Sequence, residues 1–391
     1  MDTPLEKAAP RDDRAPGAEL AGGRRGARLA GIDLARAVAL LGMMATHTLP
    51  LLDAAAQPQP VALIAGKAAA LFAVLAGVSV ELSTRRYPRW RDAALALVIR
   101  GALIAVIGLL LGSVAGSIAV VLVQYGVMFA LAPLVLRAPT RALAVLAPLW
   151  LLASPVLSHL VRDATGAPRA AESLELVHVA QPGYLLTATF LTGYYPVLQW
   201  FGYLLVGLLL ARCDWRRLRT AVVALMAGAV VALAAWGASR LLLAGGGDDA
   251  LARSGADRGL LEWGSPYAAR YFSSYGTTPT DTWWWLATAG PHSSTPLDLA
   301  YTSGIATAAI GVCFLICRAL GEGRLLLVPL LAAGSMPLTM YSLHVLMSGF
   351  MPVLLIQVVL LLVLATVWRL GPDGPGPLEG LIAGAVRRAV G

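Results

Sequence analysis

Asp33, Arg36 and His47 stand in one apolar segment, GIDLARAVALLGMMATHTLP. At about 100° per residue Asp33 and Arg36 lie one turn apart, and the step to His47 returns to within about 20° of Arg36, so a helix puts all three on one face. The axial rise from Arg36 to His47 is about 16 Å. A polar stripe therefore runs from one end of this helix toward the other. Ionisable groups in an apolar span are expensive and turn inward, which makes them functional candidates. Lys67, Arg100, Gln124, His292 and His344 extend the set, and so many polar groups in or beside apolar segments imply an aqueous cavity. Two kinds of chemistry separate by depth. Arg36 and Arg100 fall in the inner half of their segments and suit phosphates. His47 and His344 fall in the outer half, with His292 just outside a segment, and suit proton transfer. Lys67 enters the outer half of its own segment. In the plainer alternative Asp33 and Arg36 are a helix-start ion pair, Arg100 snorkels to headgroups and His47 is a satisfied polar residue between helices.

The elements that must position these residues are membrane helices. Of 391 residues 58% are hydrophobic and 13% charged, with a mean hydropathy of +0.72; soluble domains carry about 25% charge. Apolar stretches run over 31–52, 61–83, 94–113, 117–136, 141–160, 184–211, 220–243, 298–318, 325–347 and 350–369. None shows the alternation of a barrel strand, so the expected fold is all-α, a polytopic bundle of about ten spans. Lys and Arg in alternate connections set the topology: 21 fall on the side of the N-terminus, six on the other, and Arg36, Lys67 and Arg100 lie within spans. Both termini are thus expected in the cytoplasm of a bacterial plasma membrane. Residues 1–30 read as a disordered cytoplasmic tail without signal-peptide character, 31–370 as the membrane domain, and 371–391 as a tail with an amphipathic stretch on the inner surface. External loops are expected at 161–183 and 244–297. The second carries Trp263, Tyr267, Tyr271, Phe272, Tyr275 and the run Trp283 to Trp285, suited to a headgroup belt or a sugar-stacking surface. The spacing of Gly108, Gly112 and Gly116 predicts close helix packing. The net charge of +8 is spread over short connections, which argues against nucleic acid. Three cysteines offer neither a disulfide framework nor a metal site.

The spacing of Arg36 and His47 resembles the first-helix motif of transmembrane acyltransferases of the acyltransferase-3 type. GIDLARAVALLGMMATH, GKAAALFAVLAGVSVELS, PHSSTPLDL and AAGSMPLTMYSLHVL are similar to small actinobacterial proteins related to heparan-alpha-glucosaminide N-acetyltransferase. The resemblance runs from about Arg28 to the tail, and it implies transfer of an acetyl or other acyl group from cytosolic acyl-CoA, across the membrane, to a glycan or similar acceptor; a lipid-linked acceptor is a further candidate partner. It places Arg36 and His47 at the arginine and histidine positions of the first-helix motif.

The expected machinery is then His47 as general base, with Asp33, His292 and His344 as further catalytic candidates and Arg36, Arg100 and Lys67 toward the donor. Acetyl-CoA or another acyl-CoA is the donor, the partners are the acceptor and the bilayer, and no metal is expected; a homodimer is an open alternative. Two readings from other classes remain: a transporter or flippase of a lipid-linked or small polar substrate, and a non-enzymatic membrane scaffold.

Overall fold

The computed structural model describes residues 29–170, 172–254, 270, 274–321, 325–371 and 374–390. The expected tail over 1–28 and Trp263, Tyr267, Tyr271 and Phe272 lie outside them. Among the described residues the chain is helical, with a single isolated β-bridge between Leu52 and Pro58. The helices are α1 (Ala30–Thr48), α2 (Lys67–Thr84), α3 (Trp90–Gly112), α4 (Leu122–Leu131), α5 (Pro133–Leu136), α6 (Thr140–Thr165), α7 (Pro182–Thr187), α8 (Val197–Ala211), α9 (Leu218–Leu242) and α10 (Asp248–Arg253). They continue as α11 (Pro296–Leu320), α12 (Val328–Ser335), α13 (Pro337–Ser348), α14 (Leu354–Leu370) and α15 (Pro377–Val390).

Among the described residues five helical stretches are long and apolar enough to cross a membrane: Pro60–Thr84, Trp90–Gly112, Thr140–Thr165, Leu218–Arg253 and Pro296–Leu320. Two bent pairs raise the number to seven. Pro182–Thr192 meets Val197–Ala211 at 54°, and Val328–Ser335 meets Pro337–Ser348 at 91°. Leu122–Leu131 and Leu354–Leu370 are apolar but shorter, and α1 stands outside the apolar set because it carries Asp33, Arg36 and His47. Of the ten spans expected from sequence, five are thus full-length candidates and two more are bent pairs, while α1, Leu122–Leu131 and Leu354–Leu370 are not long and apolar enough to count.

Helix α1 is the hub. It packs on α2, α11, α12 and α13, and Ala35, Ala37, Ala39 and Met44 on it are fully buried. Small side chains let neighbours approach an axis that carries charge. Helices α2 and α8 cross backbone on backbone: a Cβ on Gly77 would lie 2.3 Å from the Leu204 carbonyl oxygen, and one on Gly207 2.0 Å from that of Val74. By contrast α9 and α14 turn Val230, Leu233, Leu355 and Val363 outward, as helices against hydrocarbon do. Gly108 and Gly112 do meet neighbouring backbone, of Val123 and Leu174, whereas Gly116 turns the chain at φ +59 with open space around it.

Arg162, read from sequence as the start of an external loop, instead belongs to the last turn of α6. Its buried guanidinium donates to Ser158 Oγ at 3.2 Å and to the Thr278 carbonyl. Arg169 donates to the Tyr275 carbonyl at 2.8 Å, and the Gly276 amide to the His292 carbonyl at 2.8 Å. The connections after α6 and before α11 are thereby tied into one cap over the His47 end of the bundle. Within it Trp285 is buried, donating to Asp281 Oδ1 at 2.9 Å, while exposed Trp283 packs on the His159 ring at 4.5 Å.

Candidate active site

A chain of directed hydrogen bonds converges on His47. Gln357 of α14 donates from Nε2 to the Met351 carbonyl at 2.6 Å, which turns its Oε1 toward His344 Nδ1, also at 2.6 Å. An amide oxygen only accepts, so His344 Nδ1 carries the hydrogen and Nε2 of the neutral ring is an acceptor. His47 Nδ1 lies 3.1 Å from that Nε2 and is the donor. The planes of the two rings are nearly parallel, at 7°. His47 Nε2 is left with a lone pair, the form of imidazole that accepts a proton, and Nε2 of His344 stands ready to stabilise the resulting cation.

His47 lines a small cavity of about 40 Å³ with Thr46, Tyr195, Tyr275, His292 and Tyr341. His292 reaches it from the loop before α11, where its backbone is left-handed at φ 60. Gly66, just before α2, makes room for this loop: a Cβ there would lie 3.1 Å from the His292 amide. The His292 ring is parallel to Trp200, meets Tyr195 edge-on and tilts against Tyr275, and its Nδ1 is buried without a hydrogen-bond partner. Burial, reinforced by the Lys67 ammonium, pushes this imidazole down to about 3, so it is neutral at physiological pH. Behind it Ser294 donates its amide to Asp298 Oδ2 at 2.9 Å, and Thr295 caps α11 by accepting from the Asp298 amide at 3.1 Å.

At the other end of α1, Arg36 donates to Asp33 Oδ1 at 2.9 Å and to Ser79 Oγ at 2.7 Å. The helix-start ion pair therefore forms, and Arg36 also lines two adjoining spaces. One is a mostly apolar cavity of about 240 Å³ that includes Arg100, Phe72, Tyr125 and Glu379. The other is an open cleft of about 710 Å³ with Asp33, Arg85, Arg212 and Arg216. Between the apolar cavity and the histidine cavity lies an aromatic layer. Phe72 stacks on Tyr125 at 5.7 Å and tilts against Tyr341 at 6.5 Å, and Tyr125 donates to the Ala69 carbonyl at 3.2 Å.

The family model described as heparan-alpha-glucosaminide N-acetyltransferase, catalytic, matches residues 28–243, more than half of the 391-residue chain. The chain belongs to this family. No curated protein matches it. The matched region holds α1 through α9, hence Asp33, Arg36, His47, Lys67 and Arg100, while His292, His344 and Gln357 come from beyond it. Family membership and the apolar helices together make this a membrane protein with an acetyltransferase-type catalytic domain.

Of the residues singled out from sequence, the structure gathers His47, His292 and His344 at one end and Asp33, Arg36 and Arg100 at the other. Lys67 joins the first group in space: it sits over the Tyr301 ring at 5.3 Å, at the start of the helix whose later turns present Ser79 to Arg36. Among the described residues no three His, Cys, Asp or Glu side chains are placed to share a metal ion. Gln357 went unnoticed from sequence, although it is the one polar side chain between Val353 and Ala365 and the rule that picked out Gln124 applies to it equally. Phe72, Tyr125, Tyr195 and Tyr341 carry no such signal, since aromatic residues in apolar helices are ordinary core.

Proposed function

We propose that the protein transfers an acetyl or other short acyl group from cytosolic acyl-CoA to a hydroxyl or amine of a glycan or other polar acceptor on the external side. The observation that carries this reading is the oriented series Gln357, His344, His47, which leaves His47 a lone pair at a cavity wall. A carrier or scaffold has no need of a base held in one tautomer. The acceptor gives its proton to His47 Nε2 as its oxygen or nitrogen bonds to the acyl carbon. The thioester C–S bond breaks, and the leaving CoA thiolate recovers the proton. His344 stabilises the imidazolium in between. Tyr195, Tyr275 and His292, which share the cavity, orient the acceptor. Donor phosphates fit the open cleft lined by Arg36, Arg85 and Arg216, because guanidinium groups offer planar, bidentate donors to phosphate. The pantetheine arm fits the apolar cavity beyond Arg36 and Arg100. Asp33 holds the Arg36 fork, and Lys67 balances Asp298 under the His292 loop. The bundle is read as multi-pass, with residues 31–370 as the catalytic unit and the Arg36 end in the cytoplasm.

The test is acyl-CoA-dependent product formation with stoichiometric release of free CoA by detergent-purified protein. His47→Ala and Gln357→Leu are each expected to lower the rate by about 10²-fold or more, the contribution of positioned acid–base catalysis. Arg36→Gln should weaken acyl-CoA binding about ten- to a hundredfold, the loss of one desolvated charged contact. Acceptor movement without CoA release would replace this reading with carriage, and wild-type rates in His47→Ala would remove His47 from the chemistry.

A further inference from the structure

The 91° break between α12 and α13 frees backbone donors of the first turn of α13, which need partners other than their own helix. At the break Met336 leaves helical geometry (φ −134, ψ 54), and Pro337 takes the first position of α13. Pro has no N–H, and the Met340 amide returns to the Met336 carbonyl at 3.1 Å. Two donors of the first turn remain, Leu338 N and Thr339 N. One carboxylate takes both. Glu379 Oε1 accepts from them at 2.8 and 3.1 Å, and its Oε2 accepts from Thr339 Oγ1 at 2.5 Å. Thr339 Oγ1 in turn accepts from the Leu378 amide at 3.1 Å. Glu379 belongs to α15, the C-terminal helix, far along the chain from α13. That helix is held by Ile382 and Val386, both buried, and it packs on α3 as well as on α13. The sequence suggests an amphipathic helix lying on the membrane surface; here its apolar side instead seats on protein.

We propose that Glu379 is a positioning residue: it sets the height and rotation of α13 and through them the place of His344 against His47. The proposal rests on the reading of that histidine pair as the acid–base centre. Helix α13 is short, 12 residues, and His344 stands little more than one turn beyond Thr339, so movement of the capped turn passes directly to the ring. A negative charge at the helix N-terminus also complements the aligned peptide dipoles. Glu379 and Ile382 line the same cavity as Arg36 and Arg100, so the C-terminal helix also forms part of the wall along which the donor arm would lie. A carboxylate does not attract the donor's phosphates, so the effect of Glu379 falls on rate through the cap of α13 more than on donor capture.

The experiment uses the full-length, detergent-purified chain as wild type, Glu379→Ala, Glu379→Gln and Thr339→Val. One readout is kcat and KM for acyl-CoA; the other is the rate at which diethyl pyrocarbonate modifies His344, followed by peptide mass spectrometry. Misplacing a catalytic group by about 1 Å costs about 10²-fold, so Glu379→Ala should lower kcat by at least about tenfold while KM rises by less than about threefold or falls, since a negative charge leaves a cavity holding two arginines. Glu379→Gln keeps an acceptor for Leu338 and Thr339 and should stay within about threefold of wild type. Thr339→Val, which spares both amide contacts, should fall between the two and serves in place of the alanine variant should that one not fold. His344 modification should accelerate in Glu379→Ala and stay slow in Glu379→Gln. Wild-type kcat together with wild-type protection of His344 in Glu379→Ala would overturn the proposal, as would a glutamine variant as impaired as alanine. If wild type shows no transfer at all, the acyltransferase reading fails, and the protection of His344 alone still decides the role of Glu379.

Discussion

His292 joins a left-handed backbone to a buried, neutral ring, and its titration gives a stability prediction with a definite sign. Its folded pKa is about 3, held down by burial and by Lys67, against about 6.5 for an unfolded histidine. Between these values the unfolded chain binds more protons, so this contribution to stability is complete above about pH 6.5 and is lost as pH falls toward 3. The expected loss is about 2 kcal/mol by pH 5. Thermal unfolding of the detergent-solubilised protein should show it, and His292→Asn should flatten the acid slope, because asparagine tolerates φ near 60° and does not titrate. An unchanged slope would mean that His292 takes up its proton in the folded state. At this scale the sequence exposes the ionisable residues well, since charge and imidazole stand out against apolar segments. It does not expose the order in which they bond. His47 and His344 are far apart in the chain, and only the packing of α13 on α1 brings Nδ1 of one to Nε2 of the other.

At the scale of elements, close approach of helices does what size and charge cannot. The α2–α8 crossing places Gly77 and Gly207 against each other's backbone, which brings Trp200 of α8 alongside His292 and seats α2 against α1, so that Ser79 meets Arg36. Gly207→Val should therefore destabilise by about 1–3 kcal/mol or more, the cost of overpacking a tight core. It should lower both yield and melting temperature, while Gly237→Val, at an open position on α9, should change neither. Equal melting temperatures in the two variants would show that the crossing relaxes freely. Helix existence was legible here from apolar runs and bounding charges, and helix integrity was not. Pro337 announces a break, yet its flanks Val328–Ser335 and Leu338–Ser348 are each apolar enough to read on as one span, and the 91° angle is set by α1, α14 and α15 packing around it. Arg162 misled in the opposite direction, because a charge that ends most spans is here paid for by the Thr278 carbonyl.

At the scale of the molecule, the basic excess and the cavities can be oriented by one native probe. Cys213 is exposed in the cleft that holds Arg36 and Arg212, whereas Cys313 and Cys317 are buried. With the Arg36 end inside the cell, a membrane-impermeant maleimide should label Cys213 in inverted vesicles and leave it unlabelled in intact cells; the opposite pattern would reverse the assigned topology. The amino-acid pattern makes the sidedness of Lys and Arg visible but not the partition between the two interior spaces, because that partition is three aromatic rings from three helices. Its consequence reaches beyond catalysis. A polar route from cytoplasm to exterior is a short circuit across an energised membrane, where one elementary charge is worth about 2.3 kcal/mol per 100 mV. Phe72, Tyr125 and Tyr341 stand between the arginine side and the histidine side of such a route and would insulate one from the other whenever no acyl arm is threaded between them. Phe72→Ala should thus raise proton leakage through reconstituted liposomes under an imposed voltage, as reported by a trapped pH dye, even with no substrate present. Liposomes carrying this variant that hold their gradient as long as wild type would locate the electrical seal elsewhere.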